Sequence, residues 1–178
     1  MKISISGTPA SGKSSIARKV AEKLGYKHFS MGDLQREIAN EKGVTIQELS
    51  KLECQDESID KMLDEKQKKL GQDNDNFVID SRLAPHFIPD AVKIFVDADP
   101  NIRAERRLNQ KRNEESFESP SDAHDSMMQR QKTDRDRFVK YYNFDFLDMT
   151  NYDLVLDTSG VTIDEGAEKI KAFVENFQ

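Results

Sequence analysis

The sequence predicts an α/β fold in three layers, α/β/α, around a five-stranded parallel sheet. Three observations predict it. Short apolar runs recur at residues 2–6, 26–30, 77–80, 92–97 and 152–157, and helix-periodic segments separate them. The runs at 77–80, 92–97 and 152–157 are nearly continuous in apolar residues before a closing aspartate, as strands are when helices cover both faces. The first run enters a glycine turn that opens a helix, the entry of a phosphate-binding-loop NTPase.

That turn reads Ser6-Gly7-Thr8-Pro9-Ala10-Ser11-Gly12-Lys13-Ser14-Ser15 and fits G-x-x-x-x-G-K-[ST] at every fixed position. Ile16, Ala17, Val20, Ala21 and Leu24 follow at helical spacing until Gly25 supplies a C-cap. A strand, a glycine turn and a helix start aim successive backbone N–H groups at one point, where the helix dipole also favours an anion. Lys13 would reach the β- and γ-phosphates of a triphosphate, and the Ser14 hydroxyl would ligate Mg²⁺. The bound ligand is therefore expected to be a nucleoside triphosphate with magnesium, held along residues 7–15.

Each remaining element has its own signal. Met31-Gly32-Asp33 is read as a break between the second strand and a helix that carries Leu34 and Ile38 and stops at Gly43. Thr45 and Glu48 form a capping box that opens a short helix bearing Ile46, Leu49 and Leu52. A charged helix over about 58–70 shows only Ile59, Met62, Leu63 and Leu70 as an apolar stripe. The block 31–72 is thus all helical and thin in apolar residues, a small insertion packed on the sheet. Asp99-Pro100 begins a helix with an N-cap and a proline at its first position. Residues 109–120 are polar and poorly periodic, which predicts a mobile loop before a helix over about 121–142. Thr162 and Glu165 cap a last helix with Ile163, Ala167, Ile170, Val174 and Phe177 as its expected buried stripe.

The 178 residues suit one domain with a substantial core. No apolar run approaches a membrane span and the chain enters its first strand at once, so a soluble and cytoplasmic protein is expected; a monomer is expected as well. Cys54 is the sole cysteine, which excludes an internal disulfide and fits a reducing compartment. Charged residues are 34% of the chain with a net charge of −6, which argues against a nucleic-acid surface. Within this acidic chain, Arg103, Arg106, Arg107, Arg112, Arg130, Arg135 and Arg137 nevertheless cluster.

Three segments at predicted strand ends carry chemistry. The first is Ser30-Met31-Gly32-Asp33-Leu34-Gln35-Arg36, where Arg36 would point back to the cleft. In the second, Asp80-Ser81-Arg82-Leu83-Ala84-Pro85-His86, Asp80 could hold a water of the Mg²⁺ shell, Arg82 suits bidentate grip on a phosphate, and His86 could touch a base. In the third, Arg130, Asp134 and Arg137 stand on one helix face, two guanidiniums about a carboxylate. Following the polar loop, they would close over a migrating phosphoryl group as a lid.

Taken in order, the loop, the S-x-G-D-x-x-R segment, the D-x-R at 80–82, the Pro89-Asp90-Ala91 approach to the fourth strand and the arginine lid resemble a nucleoside monophosphate kinase. The chain is most similar to cytidylate kinases of the compact archaeal type, whose I-D-x-x-L-D-x-x-Q helix Ile59 to Gln67 matches. The resemblance implies a core of residues 1–30, 73–107 and 138–178, an NMP-binding insertion at 31–72 and a lid at 108–137. It places ATP on residues 7–14 with Arg106 near its base and the backbone around 158–161 beside the adenine. Arg36 and Arg82 would hold the acceptor monophosphate, with Ser30, Gly32, Asp33 and Asp80 around it. Arg130, Asp134 and Arg137 would come down from the lid, and Asp60 and His86 would face the pyrimidine. The chain departs from the family at Ala10, where Gly is usual, and at Ser81, where G-R-L is often found.

The expected reaction is transfer of the γ-phosphoryl group of MgATP to CMP or dCMP, with no covalent intermediate. An adenylate kinase or another small-metabolite kinase on the same scaffold is the nearest alternative, although Met31 and His86 offer no adenine readout. A nucleotide-dependent switch is the more distant one: the chain has no N-K-x-D guanine motif, and an arginine lid is surplus to a switch.

Overall fold

The computed structural model of the chain describes residues 1–53, 57–109 and 117–177. Cys54, Arg112 and most of the expected loop at 109–120 lie outside the described residues. The sheet contains β1 (Lys2–Gly7), β2 (Lys27–Ser30), β3 (Phe77–Asp80), β4 (Val92–Asp97) and β5 (Leu154–Asp157) in the order β2-β3-β1-β4-β5. Every neighbouring pair is parallel, so the carboxyl ends of the strands share one edge.

The chain runs outward from β1 in both directions, first past β3 to β2 and later to β4 and β5. The crevice at the carboxyl end of β1, between β3 and β4, is therefore the topological switch point, where open α/β sheets bind ligands. The pleat sorts the core into two layers. Ile3, Ile5, Val78, Val92, Ile94, Val96 and Leu156 pack under α1 (Lys13–Leu24) and, at the chain's end, α8 (Ile163–Glu175). Phe77 and Ile79 face the other way, onto Met31, Ala84 and Ile88, and Phe95 packs with Leu83, Phe138 and Phe146.

Four expectations need correction. The first concerns Met31-Gly32-Asp33, which does not break the chain. The helix α2 (Met31–Lys42) starts directly at the end of β2 because the Ser30 hydroxyl accepts a hydrogen bond from the Asp33 amide at 3.1 Å. Next, the apolar residues of the insertion do more than lean on the sheet. Ile38, Ala39, Ile46, Leu49, Ile59 and Leu63 form a separate small core among α2, α3 (Ile46–Glu53) and α4 (Glu57–Asp73).

Third, β5 is an edge strand with Val155 exposed, so only one of its faces is covered. Last, Ile163 and Phe177 are exposed and the buried stripe of α8 is Ala167, Ile170 and Val174. A four-residue helix, α5 (Ala84–Phe87), turns the chain after β3 and was too short for periodicity to reveal. The helix α6 (Pro100–Asn109) begins as its sequence implies, with Asp99 Oδ1 accepting from the Asn101 amide at 2.8 Å. The helix α7 (Pro120–Tyr142) is capped by Ser119 and ends on Asn143 in the left-handed region, φ 50°.

Candidate active site

Gly7 ends β1 so close to β4 that a Cβ there would fall on the Val96 carbonyl oxygen. The loop that follows is tied down from three sides. The Thr8 hydroxyl donates to Asp97 at 2.5 Å, the Thr158 hydroxyl donates to the Ser11 carbonyl at 2.7 Å, and the Arg103 guanidinium reaches the Pro9 carbonyl at 3.5 Å. Gly12, at φ 87°, caps α1 without any side-chain hydrogen bond, so no side chain competes for the first-turn N–H groups. Such a helix start is a ready anion cradle.

The cradle forms one wall of an open cleft. Cationic side chains from separate elements reach it: Lys13 from α1, Arg36 from α2, Arg82 after β3, and Arg130 from α7. Lys13 forms an ion pair with the fully buried Asp80. Burial, with Arg82, Arg130 and Arg36 nearby, pushes the Lys13 pKa well below the usual lysine range. A bound polyphosphate would supply the negative charge this crowd lacks. Arg82 donates to the Gly7 carbonyl at 3.4 Å and pairs with Asp134, and burial lowers its pKa to about 10. Arg36 pairs with Asp33, and against the cost of burial this partner holds the Asp33 carboxyl below its usual range.

Asp134 is the junction of the arginines. It pairs with Arg82, with Arg130 at 3.8 Å and with Arg137 at 3.4 Å. Arg137 differs from the expected lid arginine. It is almost wholly buried, donates to Glu53 at 2.6 Å and lies 3.4 Å from Asp60. Although Arg137 borders the cleft, its charge is already matched by carboxylates of the insertion.

Of the residues read from sequence, 8–15, Gly32, Arg36, Asp60, Asp80, Arg82, Arg130, Asp134 and Arg137 line this one cleft. Ser30, Asp33, His86 and Arg106 do not. Ser30 caps α2 and Asp33 holds Arg36. His86 is exposed and stacks among Phe87, Tyr142 and Phe144. Arg106 donates to the Thr158 carbonyl at 2.7 Å. Arg107, expected only as one of a cluster of arginines, and Gln35, Asp64 and Gln67, to which the sequence assigns no role, also line the cleft. Arg107 lies one helical turn after Arg103, and the two are buried on the same face of α6.

The sequence matches the cytidylate kinase-like family over residues 2–160. The chain belongs to that family. The cytidylate kinase of Natronomonas pharaonis is 38% identical over 178 residues, 99% of this chain and 88% of its own length. That of Archaeoglobus fulgidus is 32% identical over 98% of this chain and 95% of its own. Among solved structures, the shikimate kinase of Bacteroides thetaiotaomicron superposes with a TM-score of 0.66 at 16% identity, each chain covered to 98%. An uncharacterized protein from Eubacterium ventriosum gives 0.72 at 18%, each chain covered to 99%. These two likenesses concern the fold alone. The family makes the chain an ATP-dependent nucleoside monophosphate kinase.

The donors present fit a magnesium ion carried on a triphosphate. Asp80 is fully buried, its Oδ1 paired with Lys13 and its Oδ2 accepting no hydrogen bond, and Ser14 sits on the same cleft wall at the start of α1. Among the described residues there is no cluster of three or more His, Cys, Asp or Glu that could hold a metal. Magnesium bound through phosphates and one or two protein oxygens needs none. No helix among the described residues is long and apolar enough to cross a membrane.

Proposed function

We propose that the enzyme transfers the γ-phosphoryl group of MgATP to CMP or dCMP, giving ADP and the pyrimidine diphosphate. One observation carries the reading: Lys13, Arg36, Arg82 and Arg130, from four separate elements, meet on a single cleft around an uncapped helix start. A cradle for one nucleotide needs no such convergence, whereas two nucleotides meeting through their phosphates do.

On this reading the loop amides and Lys13 bind the donor's phosphates, and Ser14 and Asp80 would hold magnesium. When bound, the metal neutralises charge on the β- and γ-phosphates. Arg36 and Arg82 orient the acceptor phosphate, whose oxygen is already a nucleophile and needs no dedicated base. Arg130 and Arg82 stabilise the negative charge spread over the group in flight. Asp134, between them, fixes both guanidiniums so that little reorganisation is needed.

A coupled assay of ADP release tests this with CMP, dCMP, UMP, AMP and shikimate in parallel. Acceptor-dependent ADP release strongest with CMP or dCMP is the expected result. Preference for AMP, or ADP release that ignores the acceptor, would overturn it.

A further inference from the structure

The helix α4 turns three polar side chains to the cleft, Asp60, Asp64 and Gln67. Their spacing, i, i+4 and i+7, sets them on one face. They are 5%, 7% and 3% exposed, so each has been taken out of water. Each is gripped from outside α4. Asp60 lies 3.4 Å from the Arg137 guanidinium. Asp64 accepts a hydrogen bond from the Tyr142 hydroxyl on Oδ2 at 2.7 Å, while its Oδ1 accepts none. The Gln67 Oε1 accepts from the Ser81 hydroxyl at 2.5 Å, which fixes the amide and leaves its NH₂ as the donor end.

The cleft therefore has two electrostatic ends. Lys13, Arg36, Arg82 and Arg130 make one suited to phosphates; at the other, Asp60 is matched by Arg137 and Asp64 presents a carboxylate oxygen that accepts no hydrogen bond. The part of an acceptor nucleotide at α4 must be uncharged and must offer a donor to Asp64. Leu63, Met31 and Leu83 line the cleft as well, so a flat ring finds apolar walls there. A buried carboxylate oxygen without a donor costs stability, a cost that a ligand's N–H would relieve.

We propose that Asp64 and Gln67 read the acceptor's base, and that they select an aminopyrimidine over its oxo counterpart. Asp64 Oδ1 accepts from the exocyclic amine, and the Gln67 NH₂ donates to the neighbouring ring nitrogen or carbonyl oxygen. Uracil presents a carbonyl oxygen where cytosine carries its amine, so two lone pairs would face each other at Asp64. Tyr142 and Ser81 are positioning residues, since each consumes the end of its partner that is not used in reading. The inference rests on the acceptor monophosphate occupying this cleft, as proposed above.

The test is the ratio of kcat/KM for CMP to that for UMP, with dissociation constants for both. In Asp64→Asn the Tyr142 hydroxyl still donates to the new carbonyl oxygen, which turns the new NH₂ to the cleft as a donor for uracil. The CMP-to-UMP ratio should fall at least about tenfold, mainly through KM, because mispaired buried polar groups dominate such discrimination. Tyr142→Phe frees Asp64 to swing and should lower the ratio by a smaller factor. It also carries the test should Asp64→Asn fail to fold, because the ring is kept. A ratio unchanged in the variants, in an enzyme whose wild type turns over CMP, overturns the roles of Asp64 and Gln67 and leaves the kinase reading standing. A wild type that does not phosphorylate CMP overturns that reading, and this inference with it.

Discussion

The Arg137 guanidinium donates to the Glu53 carboxylate at 2.6 Å across 84 residues of sequence, and both side chains are sealed from solvent. This pair joins the insertion to α7. Glu53 also accepts from Gln35 on the cleft wall at 3.0 Å, and Arg137 reaches Asp134, which holds Arg82. The chain of charges runs from α3 through α7 to the end of β3, so the position of the insertion and the aim of Arg82 are set together.

Removing one partner of a buried pair leaves a charge without compensation, at a cost of about 3–5 kcal/mol. Glu53→Ala should therefore lower the melting temperature by about 10 °C in a chain of this size. Glu53→Gln keeps an acceptor for Arg137 and should lose less. Melting curves of the two variants decide the point: an alanine variant that melts with the wild type would show the pair to be incidental.

Asp60 gives the insertion a pH dependence. Burial raises its carboxyl to about 7; Arg137 opposes the rise, while Glu53, Asp64 and Asp134 add to it. Burial likewise raises Glu53 and Asp64. The folded chain thus holds these protons more tightly than the unfolded chain does, so their contribution is full below the ordinary carboxyl range. As the pH rises the contribution is lost, for Asp60 through about 7. Thermal melts from pH 4 to pH 8 should show this decline, and Asp60→Asn should flatten it. An identical slope in the variant would mean that Asp60 is ionised throughout.

The parts of the molecule legible in the sequence are those whose causes are local. The strand, glycine turn and helix at 2–24 are contiguous, and the capping boxes at Thr45 and Thr162 need only four residues each. The S-x-x-D cap at Ser30 is equally local, although Gly32 in the same stretch suggests a break. Arg137 could be placed on a helix face by spacing, but not recognised as buried, because its partners Glu53 and Asp60 lie on distant helices. Arg103 and Arg107 are buried for the same kind of reason: α7 covers α6, and no pattern within α6 announces it. His86 went the other way, drawn from the cleft by an aromatic cluster whose members are its neighbour Phe87 and, from a distant stretch of chain, Tyr142 and Phe144.

Ala10 stands in the left-handed region at φ 61°, a conformation that costs a residue with a Cβ roughly 1 kcal/mol. Ala10→Gly removes that strain and adds chain entropy to the unfolded state, two effects of similar size and opposite sign, with strain the larger. The variant should melt at or slightly above the wild-type temperature and keep kcat within about twofold. A clear loss of stability on scanning calorimetry would show that the alanine methyl contributes packing that outweighs its backbone cost.

Lys13 and Arg82 should separate into different kinetic roles. Lys13 leads α1 at the anion cradle, so Lys13→Ala should reduce kcat at least about a hundredfold, the scale for losing one preorganised charge donor at a reacting group. The far-ultraviolet circular dichroism should not change. Arg82 lies across the Gly7 carbonyl and pairs with Asp134, on the side where the acceptor phosphate would enter. Arg82→Ala should raise the acceptor KM more than the ATP KM, and Arg82→Lys should restore little because an ammonium cannot serve Gly7, Asp134 and a phosphate at once. Equal rises in both constants would place Arg82 on the donor instead, and near-normal turnover in Lys13→Ala would remove the cradle from catalysis altogether.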